Sequence, residues 1–164
     1  MFRTLASSAL AIGTGLAGLA IATPARAVTT APKAQHCVVS VETGASLGCY
    51  TSLAAADRAG STERAPLLVL ARLFDRTGYD ARGATLTVKG SRACTASTGN
   101  LDLGLTNLGA FGFDNRTSSF YTRNRCDLRG YTGYYFGGTG FAKYQDADVQ
   151  LVKFNNNLSS IKLS

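Results

Sequence analysis

The pattern of apolar and polar residues predicts β-strands in the C-terminal two thirds of the chain. Leu68–Phe74 and Ala84–Lys89 are rich in apolar and β-branched residues, partly in alternation, and glycines bound the region. Upstream, the apolar run Val38–Val41 and the turn residues Thr43–Ser46 predict a hairpin. The Ala-rich stretch after Ser52 predicts one or two turns of helix with that serine as N-cap, followed by a linker to residue 66.

Residues 1–27 have the features of a signal peptide. Arg3 gives a positive start, Leu5–Ile21 is apolar and rich in small residues, and Ala25–Ala27 is an A-x-A cleavage signal. The apolar stretch is short for a membrane span, and its G-x-G-x-x-G at Gly13–Gly18 lacks the strand and the acidic residue of a dinucleotide site. We therefore expect a secreted, extracellular protein with no membrane attachment after cleavage.

The composition narrows the possible functions. The chain has 164 residues, 45% of them hydrophobic and 16% charged, which fits one globular domain, and 18 glycines favour a turn-rich β protein. A single histidine, His36, excludes multi-histidine metal sites, and we expect it on the surface of an N-terminal extension. No motif places two aspartates on one wall, so a glycosidase site has no support. We expect no enzyme activity.

The positive charge is spread along the chain rather than clustered. The formal net charge is +7, and dispersed cations are typical of a solvated surface. Cations alternate with aromatic residues in Phe120–Arg125 and near Tyr131–Phe141, as in single-strand binders, but alternating strand faces explain this equally well. We therefore expect no nucleic-acid partner. The cations considered are Arg58, Arg64, Arg72, Arg76, Arg82, Lys89, Arg92, Arg116, Arg123, Arg125 and Arg129.

Four cysteines lie after the predicted cleavage site, and an even count in an oxidising compartment predicts two disulfides. Three connectivities are possible. The predicted hairpin would place Cys37 opposite Cys49, which leaves Cys94 to pair with Cys126. No C-x-x-C occurs, so zinc ribbons and thioredoxin-type sites have no support.

Two elements occur twice in the predicted strand region. Asp114–Ser119 and Asn155–Ser160 both fit the pattern [DN]-[DN]-x-x-[ST]-S. An aromatic-x4-aromatic element precedes each of them, as Phe74–Tyr79 and as Tyr131–Phe136, the second of these followed by Gly138. In the first copy Ala81 takes the position of that glycine and Gly83 comes two residues later, so its hairpin is expected to be longer. That copy also has an insertion around Cys94–Gly109.

This combination resembles the Greek-key signature of the βγ-crystallin superfamily. The resemblance implies an all-β, βγ-crystallin-like Greek-key β-sandwich built from two Greek-key motifs, with a disulfide-closed N-terminal hairpin extension. The expected boundaries are 28–66 for the extension and 67–164 for the domain. Motif one would cover about 67–125 and motif two about 126–164. We expect a monomer.

The superfamily's pattern implies a pair of calcium sites formed by the two polar turns. Calcium is bound by six to eight oxygens, and a set with one carboxylate and one cation predicts weak binding, on the order of 10⁻⁴ M or poorer. Alternatively, these residues are simply good turn formers that hydrogen-bond their own backbone. The ligands carried over by position are Asp114, Asn115, Arg116 through its carbonyl, Ser118, Asn155, Asn156, Asn157 through its carbonyl, and Ser159.

The extension is similar to that of secreted bacterial members of the superfamily, which include inhibitors of thermolysin-type metallopeptidases and killer-toxin-like proteins. The resemblance therefore implies an inhibitor of an extracellular metallopeptidase. The insertion in motif one, anchored by the predicted disulfide at Cys94, offers Thr95–Leu108 as the inhibitory loop, with Leu103 or Leu105 as its apolar contact. The same segment could equally be the third strand of the sandwich. The competing hypothesis is a calcium-binding structural or cell-surface protein, with an antimicrobial role as a variant.

Overall fold

The computed structural model describes residues 35–61 and 66–164, so the predicted signal peptide lies outside the described residues. Within these ranges the chain forms β-strands, one α-helix and short 3₁₀ turns. The strands are β1 (His36–Ser40), β2 (Ser46–Tyr50), β3 (Leu68–Phe74), β4 (Thr85–Gly90), β5 (Leu103–Leu105), β6 (Ser119–Thr122), β7 (Leu128–Tyr131), β8 (Ala147–Asp148) and β9 (Ser160–Leu163), and the helix is α1 (Leu53–Arg58).

The strands form two sheets that the two motifs build together. The large sheet has the order β2-β1-β4-β3-β6-β8 and the small sheet the order β5-β9-β7. Each motif gives its third strand to the other motif's sheet, because β5 pairs with β9 and β8 pairs with β6. This exchange is the Greek-key sandwich that the repeated elements predicted, and it confirms the fold class.

The core lies between the sheets and follows from the alternation of side chains along each strand. Leu73 stands opposite Leu86 on one neighbouring strand and opposite Phe120 on the other, so all three point to the same face. All three are completely buried, and Ile161 and Leu163 of β9 are equally buried in the same core cluster. Burying each such side chain stabilises the fold by about 1.5–3 kcal/mol.

The N-terminal extension joins the large sheet through main-chain hydrogen bonds. Strand β1 pairs antiparallel with β2 and parallel with β4. Ser52 caps α1, its hydroxyl accepting a hydrogen bond from the Ala55 amide. The hairpin and the short helix are therefore confirmed, whereas the domain boundary at residue 66 stays a prediction.

Both predicted disulfides are present. Cys37 is bonded to Cys49 across the β1–β2 hairpin, and Cys94 is bonded to Cys126 over a sequence separation of 32 residues. The second bond joins the long connection after β4 to the turn before β7. In the described ranges, 35–61 and 66–164, no helix has the length and apolar character needed to cross a membrane.

The expectation that all the cations lie on the surface is wrong for two of them. Lys89 is 1% exposed, and its ammonium donates to the carbonyls of Asp57 (2.7 Å) and Ala59 (2.6 Å) at the C-terminal end of α1. Arg72 is also buried and pairs with the Asp57 carboxylate. Both cations point away from the core, toward a sheet face that the helix covers. Burial lowers the pKa of Lys89.

His36 is also buried rather than on the surface, with 4% of it exposed. The parallel pairing of β1 with β4 places its Nδ1 3.1 Å from the Thr85 hydroxyl. Burial, and after it the positive charge of Arg72, lowers the pKa of His36 below 6.5, although Asp57 and Asp75 partly oppose this.

The buried histidine predicts a loss of stability in mild acid. The unfolded chain binds a proton below about pH 6.5, whereas folded His36 resists it, so its contribution is complete above that pH. The contribution is lost as the pH falls through the folded pKa. Urea unfolding from pH 7.5 to 5 should show a steeper fall in unfolding free energy for the wild type than for His36→Gln. Identical slopes for the two proteins would contradict this.

Candidate functional site

The two polar turns bind each other across the sandwich. The Asn115 amide donates to the Leu158 carbonyl, and the Asn156 amide donates to the Thr117 carbonyl, both at 2.9 Å. Both asparagines have positive φ, 53° and 51°, a conformation that asparagine tolerates better than most residues. Each turn therefore lies beside the serine of the other, and any site here combines residues from both motifs.

The last serine of each turn holds the folded hairpin of its own motif. The Ser119 hydroxyl donates to the Arg76 carbonyl (2.6 Å) and accepts from the Tyr79 amide (3.1 Å). In motif two, Ser160 donates to Gly133 (2.6 Å) and accepts from Phe136 (3.0 Å). The two motifs are thus equivalent in their hydrogen bonds as well as in their sequence pattern.

The longer first hairpin has the structure that its glycine spacing predicted. A Cβ atom on Gly83 would lie 1.9 Å from Oδ1 of Asp75, and one on Gly138 would lie 2.4 Å from Oγ1 of Thr132. Both glycines therefore allow the hairpin backbone to approach the residue that follows the first aromatic residue of the motif. Motif one has two more residues than motif two between these positions. The comparison also shows that Asp75 and Thr132 occupy equivalent positions.

Three oxygen atoms meet beside the first turn. The Ser118 hydroxyl oxygen lies 3.1 Å from the Asp75 carbonyl and 3.1 Å from Oδ1 of Asn156. A hydroxyl has one proton, so it satisfies only one of these two acceptors. The Asp75 Oδ1 atom is buried without a hydrogen-bond partner, while its Oδ2 accepts from Arg116 at 3.1 Å. We call Asp75, Ser118 and Asn156 the Ser118 cluster.

The second polar turn, Asn155–Ser160, has fewer oxygen atoms placed together than the first. Ser159, the equivalent of Ser118, makes no side-chain hydrogen bond to another described residue, and Thr132 replaces the carboxylate of Asp75. Asp114 Oδ2 instead accepts from the Tyr134 hydroxyl and from the Asn115 amide group, both at 3.0 Å, and its Oδ1 is buried without a partner. The bond to Asp114 raises the pKa of Tyr134.

The predicted ligands are therefore brought together only in part. The structure joins Ser118 with Asn156 and adds Asp75, which the motif did not include, although it directly follows the first aromatic residue of motif one. Arg116, predicted to offer its carbonyl, directs its guanidinium at Asp75. Asn155 and Asn157 are exposed, as Asn156 is, but their side chains make no hydrogen bond to another described residue. Across residues 35–61 and 66–164 no group of three or more His, Cys, Asp or Glu side chains could hold a metal ion. The oxygens of the Ser118 cluster suit calcium, but with one carboxylate they suit weak binding.

The insertion in motif one is partly a strand. Leu103–Leu105 form β5, and Leu105 is buried in the core, so it cannot contact a peptidase. The exposed part is the loop 95–102, which includes Leu101 at 47% exposure. Asp102 holds this loop by accepting from the Thr95 amide (2.7 Å) and hydroxyl (2.9 Å), and the Ser164 hydroxyl donates to the Ser97 carbonyl (2.6 Å).

The structure is similar to solved βγ-crystallin domains. The N-terminal domain of Protein S has 19% identity over 58% of this chain and 94% of its own, with a TM-score of 0.44. A domain from Flavobacterium johnsoniae has 18% identity over 58% and 93%, with 0.41, and a βγ-crystallin from Ciona intestinalis has 16% over 57% and 98%, with 0.42. No protein-family model and no curated protein matches the sequence. At these identities and TM-scores the similarity carries no argument about ligand, activity or partner.

The hairpin serines give a stability prediction. Ser119→Ala and Ser160→Ala each leave a carbonyl and an amide without the hydroxyl partner, which should lower the unfolding free energy by about 1–3 kcal/mol. Ser61→Ala, at an exposed serine after α1, should change it by less than about 0.5 kcal/mol. Denaturant unfolding of the three variants checks this. A clear difference between the two hairpin variants would count against the equivalence of the motifs.

Proposed function

We propose that this protein is a secreted, non-enzymatic βγ-crystallin-like module that binds one calcium ion at the Ser118 cluster. The observation that carries the proposal is the shortage of donors there, because one hydroxyl proton of Ser118 faces two acceptors. Asp75, whose carbonyl is one of them, also has a buried carboxylate oxygen without a hydrogen-bond partner. A cation satisfies such a set where no further hydrogen-bond donor is present. The two disulfides support an extracellular location.

The residues of the cluster would bind calcium through the carbonyl and carboxylate of Asp75, the hydroxyl of Ser118 and the amide oxygen of Asn156. Arg116 opposes this, because its guanidinium already bonds the same carboxylate at 3.1 Å and repels a second cation. The second turn lacks a carboxylate at the position of Asp75. We therefore propose one weak site rather than the pair that the sequence pattern implied.

Calcium should stabilise the fold through this site. At a tenfold excess over Kd the gain is about 1.4 kcal/mol, which corresponds to roughly 3–6 °C in melting temperature for a chain of this size. Asp75→Asn and Ser118→Ala should abolish the rise, whereas Ser159→Ala, the matched change in the other turn, should keep it. Differential scanning calorimetry in chelator and in calcium measures all four proteins.

A change at Arg116 should strengthen calcium binding, whereas the changes at Asp75 and Ser118 should abolish it. Removing its competing charge in Arg116→Gln should increase the calcium-dependent rise in melting temperature. If calcium leaves the melting curves of both the wild type and Arg116→Gln unchanged, the turns have only a structural role and the proposal is wrong.

A second function, inhibition of an extracellular metallopeptidase, is favoured by the loop 95–102. An inhibitory loop must be ordered before binding, since ordering each mobile side chain on binding costs about 0.5–1.5 kcal/mol. This loop is fixed by the Cys94–Cys126 disulfide, by Asp102 and by Ser164, and it presents Leu101 to solvent. Leu101 replaces the buried Leu105 as the residue that would enter an apolar pocket of the peptidase.

Inhibition is tested with purified protein and a panel of thermolysin-type enzymes. The protein should inhibit stoichiometrically, and Leu101→Asp should weaken inhibition by at least about tenfold, since it places a charge in an apolar pocket. Val152→Asp, at an exposed apolar residue of the other motif, is the control and should inhibit normally. Full peptidase activity at a large molar excess of the folded protein would contradict the proposed inhibition.

A further inference from the structure

The outer face of the small sheet carries two cations against aromatic rings. Arg129 and Lys162 are neighbours in the β7–β9 register, and their charged groups lie 5.5 and 5.4 Å from the centre of the Tyr131 ring. Lys162 also lies 4.9 Å from the centre of the Phe136 ring. We call Arg129, Tyr131, Phe136 and Lys162 the basic aromatic face. In the part of the chain that the structure describes, neither cation forms a salt bridge.

The outer face of the large sheet is equivalent to the basic aromatic face, and there a segment of the chain itself covers the arginine. Phe74 and Tyr131 begin the two equivalent hairpins, so Arg72, two residues before the first, corresponds to Arg129. Arg72 also lies against an aromatic ring, that of Tyr121 at 5.8 Å. There the helix α1 covers the face, and its Asp57 pairs with Arg72. One motif therefore has its arginine neutralised by a helical carboxylate, and the other does not.

Nothing in the described chain supplies that carboxylate to the basic aromatic face. Arg129 donates through Nε to the Phe141 carbonyl at 2.8 Å, which leaves the rest of its guanidinium for another partner. Two like charges side by side repel each other, and a shared anion relieves this. Outside the described residues, 1–34 contain no Asp or Glu, and the one carboxylate of 62–65, Glu63, stands in the short segment that joins α1 to β3 of the large sheet. The charge pattern therefore fits an acidic group from another molecule.

The rim of this face has the composition of a binding surface. Tyr134 and Tyr135, next to Phe136, are 46% and 77% exposed. Tyr135 has a φ of 54°, where the equivalent residue of motif one is Gly78 with a φ of 70°. Tyrosine is disfavoured in this left-handed conformation compared with glycine. Exposed tyrosine beside arginine is the composition enriched in protein–protein interfaces.

We propose that the basic aromatic face binds an acidic helical segment of a partner protein. A carboxylate of that segment lies between Arg129 and Lys162, as Asp57 of α1 pairs with Arg72. Apolar residues of the segment pack on Phe136 and on the exposed rings of Tyr134 and Tyr135. None of the four residues of the basic aromatic face belongs to the Ser118 cluster or to the loop 95–102.

The test uses two alanine-based helical peptides that differ only at two positions four residues apart, Asp in one and Asn in the other. Added to ¹⁵N-labelled protein, the Asp peptide should shift the amide signals of Gly104, Arg129, Tyr131 and Lys162 in a saturable way. It should bind at least about tenfold more tightly than the Asn peptide, and added salt should weaken it. Equal binding of the two peptides would overturn the proposal.

Two variants distinguish binding at the basic aromatic face from non-specific attraction to the positive charge of the protein. Arg129→Gln with Lys162→Gln should weaken binding of the Asp peptide by about tenfold or more while the amide spectrum stays that of a folded protein. Arg123→Gln is the control, because Arg123 also lies against a tyrosine, Tyr121 at 4.5 Å, but on the large sheet. Equal loss in both variants, shifts spread over the whole surface, or the absence of saturable shifts would each overturn the proposal.

Discussion

The reciprocal hydrogen bonds between the two polar turns are the constraint on which the structure depends. Asn115 and Asn156 each donate to the turn of the other motif, and this fixes the point where the two sheets meet. From there Ser119 and Ser160 fold the two hairpins, and the exchanged strands β5 and β8 complete the opposite sheets. Ser118 contacts Asp75 within motif one, but it comes close to Asn156 only because the two motifs are held in this arrangement. The candidate calcium site is therefore a consequence of the packing of the motifs rather than a property of either turn.

Local signals in the sequence were sufficient for β3, β4, the β1–β2 hairpin and the disulfide that closes it, and the Cys94–Cys126 pairing followed by elimination. Alternation predicted β3 and β4, turn residues predicted the β1–β2 hairpin, and the displaced Gly83 predicted the longer hairpin of motif one, since each depends on residues near one another in the chain. The same motif named Ser118 and Asn156 as candidate ligands, one in each turn, but it did not predict that they lie side by side. It did not predict Asp75, because that residue belongs to a hairpin about 40 positions before the turn.

The buried His36, Arg72 and Lys89 were missed for a different reason. Alternation along a strand divides residues between two faces, but it does not show whether a helix from elsewhere covers the outer one. Here α1, which precedes both β3 and β4, covers that face and offers carbonyl oxygens and one carboxylate. A buried cation costs free energy unless it is paired or hydrogen-bonded, so Asp57 and the end of α1 are what make Arg72 and Lys89 compatible with burial.

The distribution of ion pairs separates the two motifs further. In residues 35–61 and 66–164 every salt bridge has its arginine in motif one: Arg72 with Asp57, Arg76 and Arg82 with Asp80, and Arg116 with Asp75. The contact with Arg82 lowers the pKa of Asp80 to about 2, so that carboxylate stays charged through the physiological range. Motif two keeps the equivalent arginine, Arg129, without this neutralisation. The two sheets thus differ in electrostatics as well as in the number of strands, because the extension adds β1, β2 and α1 to the large sheet and supplies the carboxylate that pairs with Arg72.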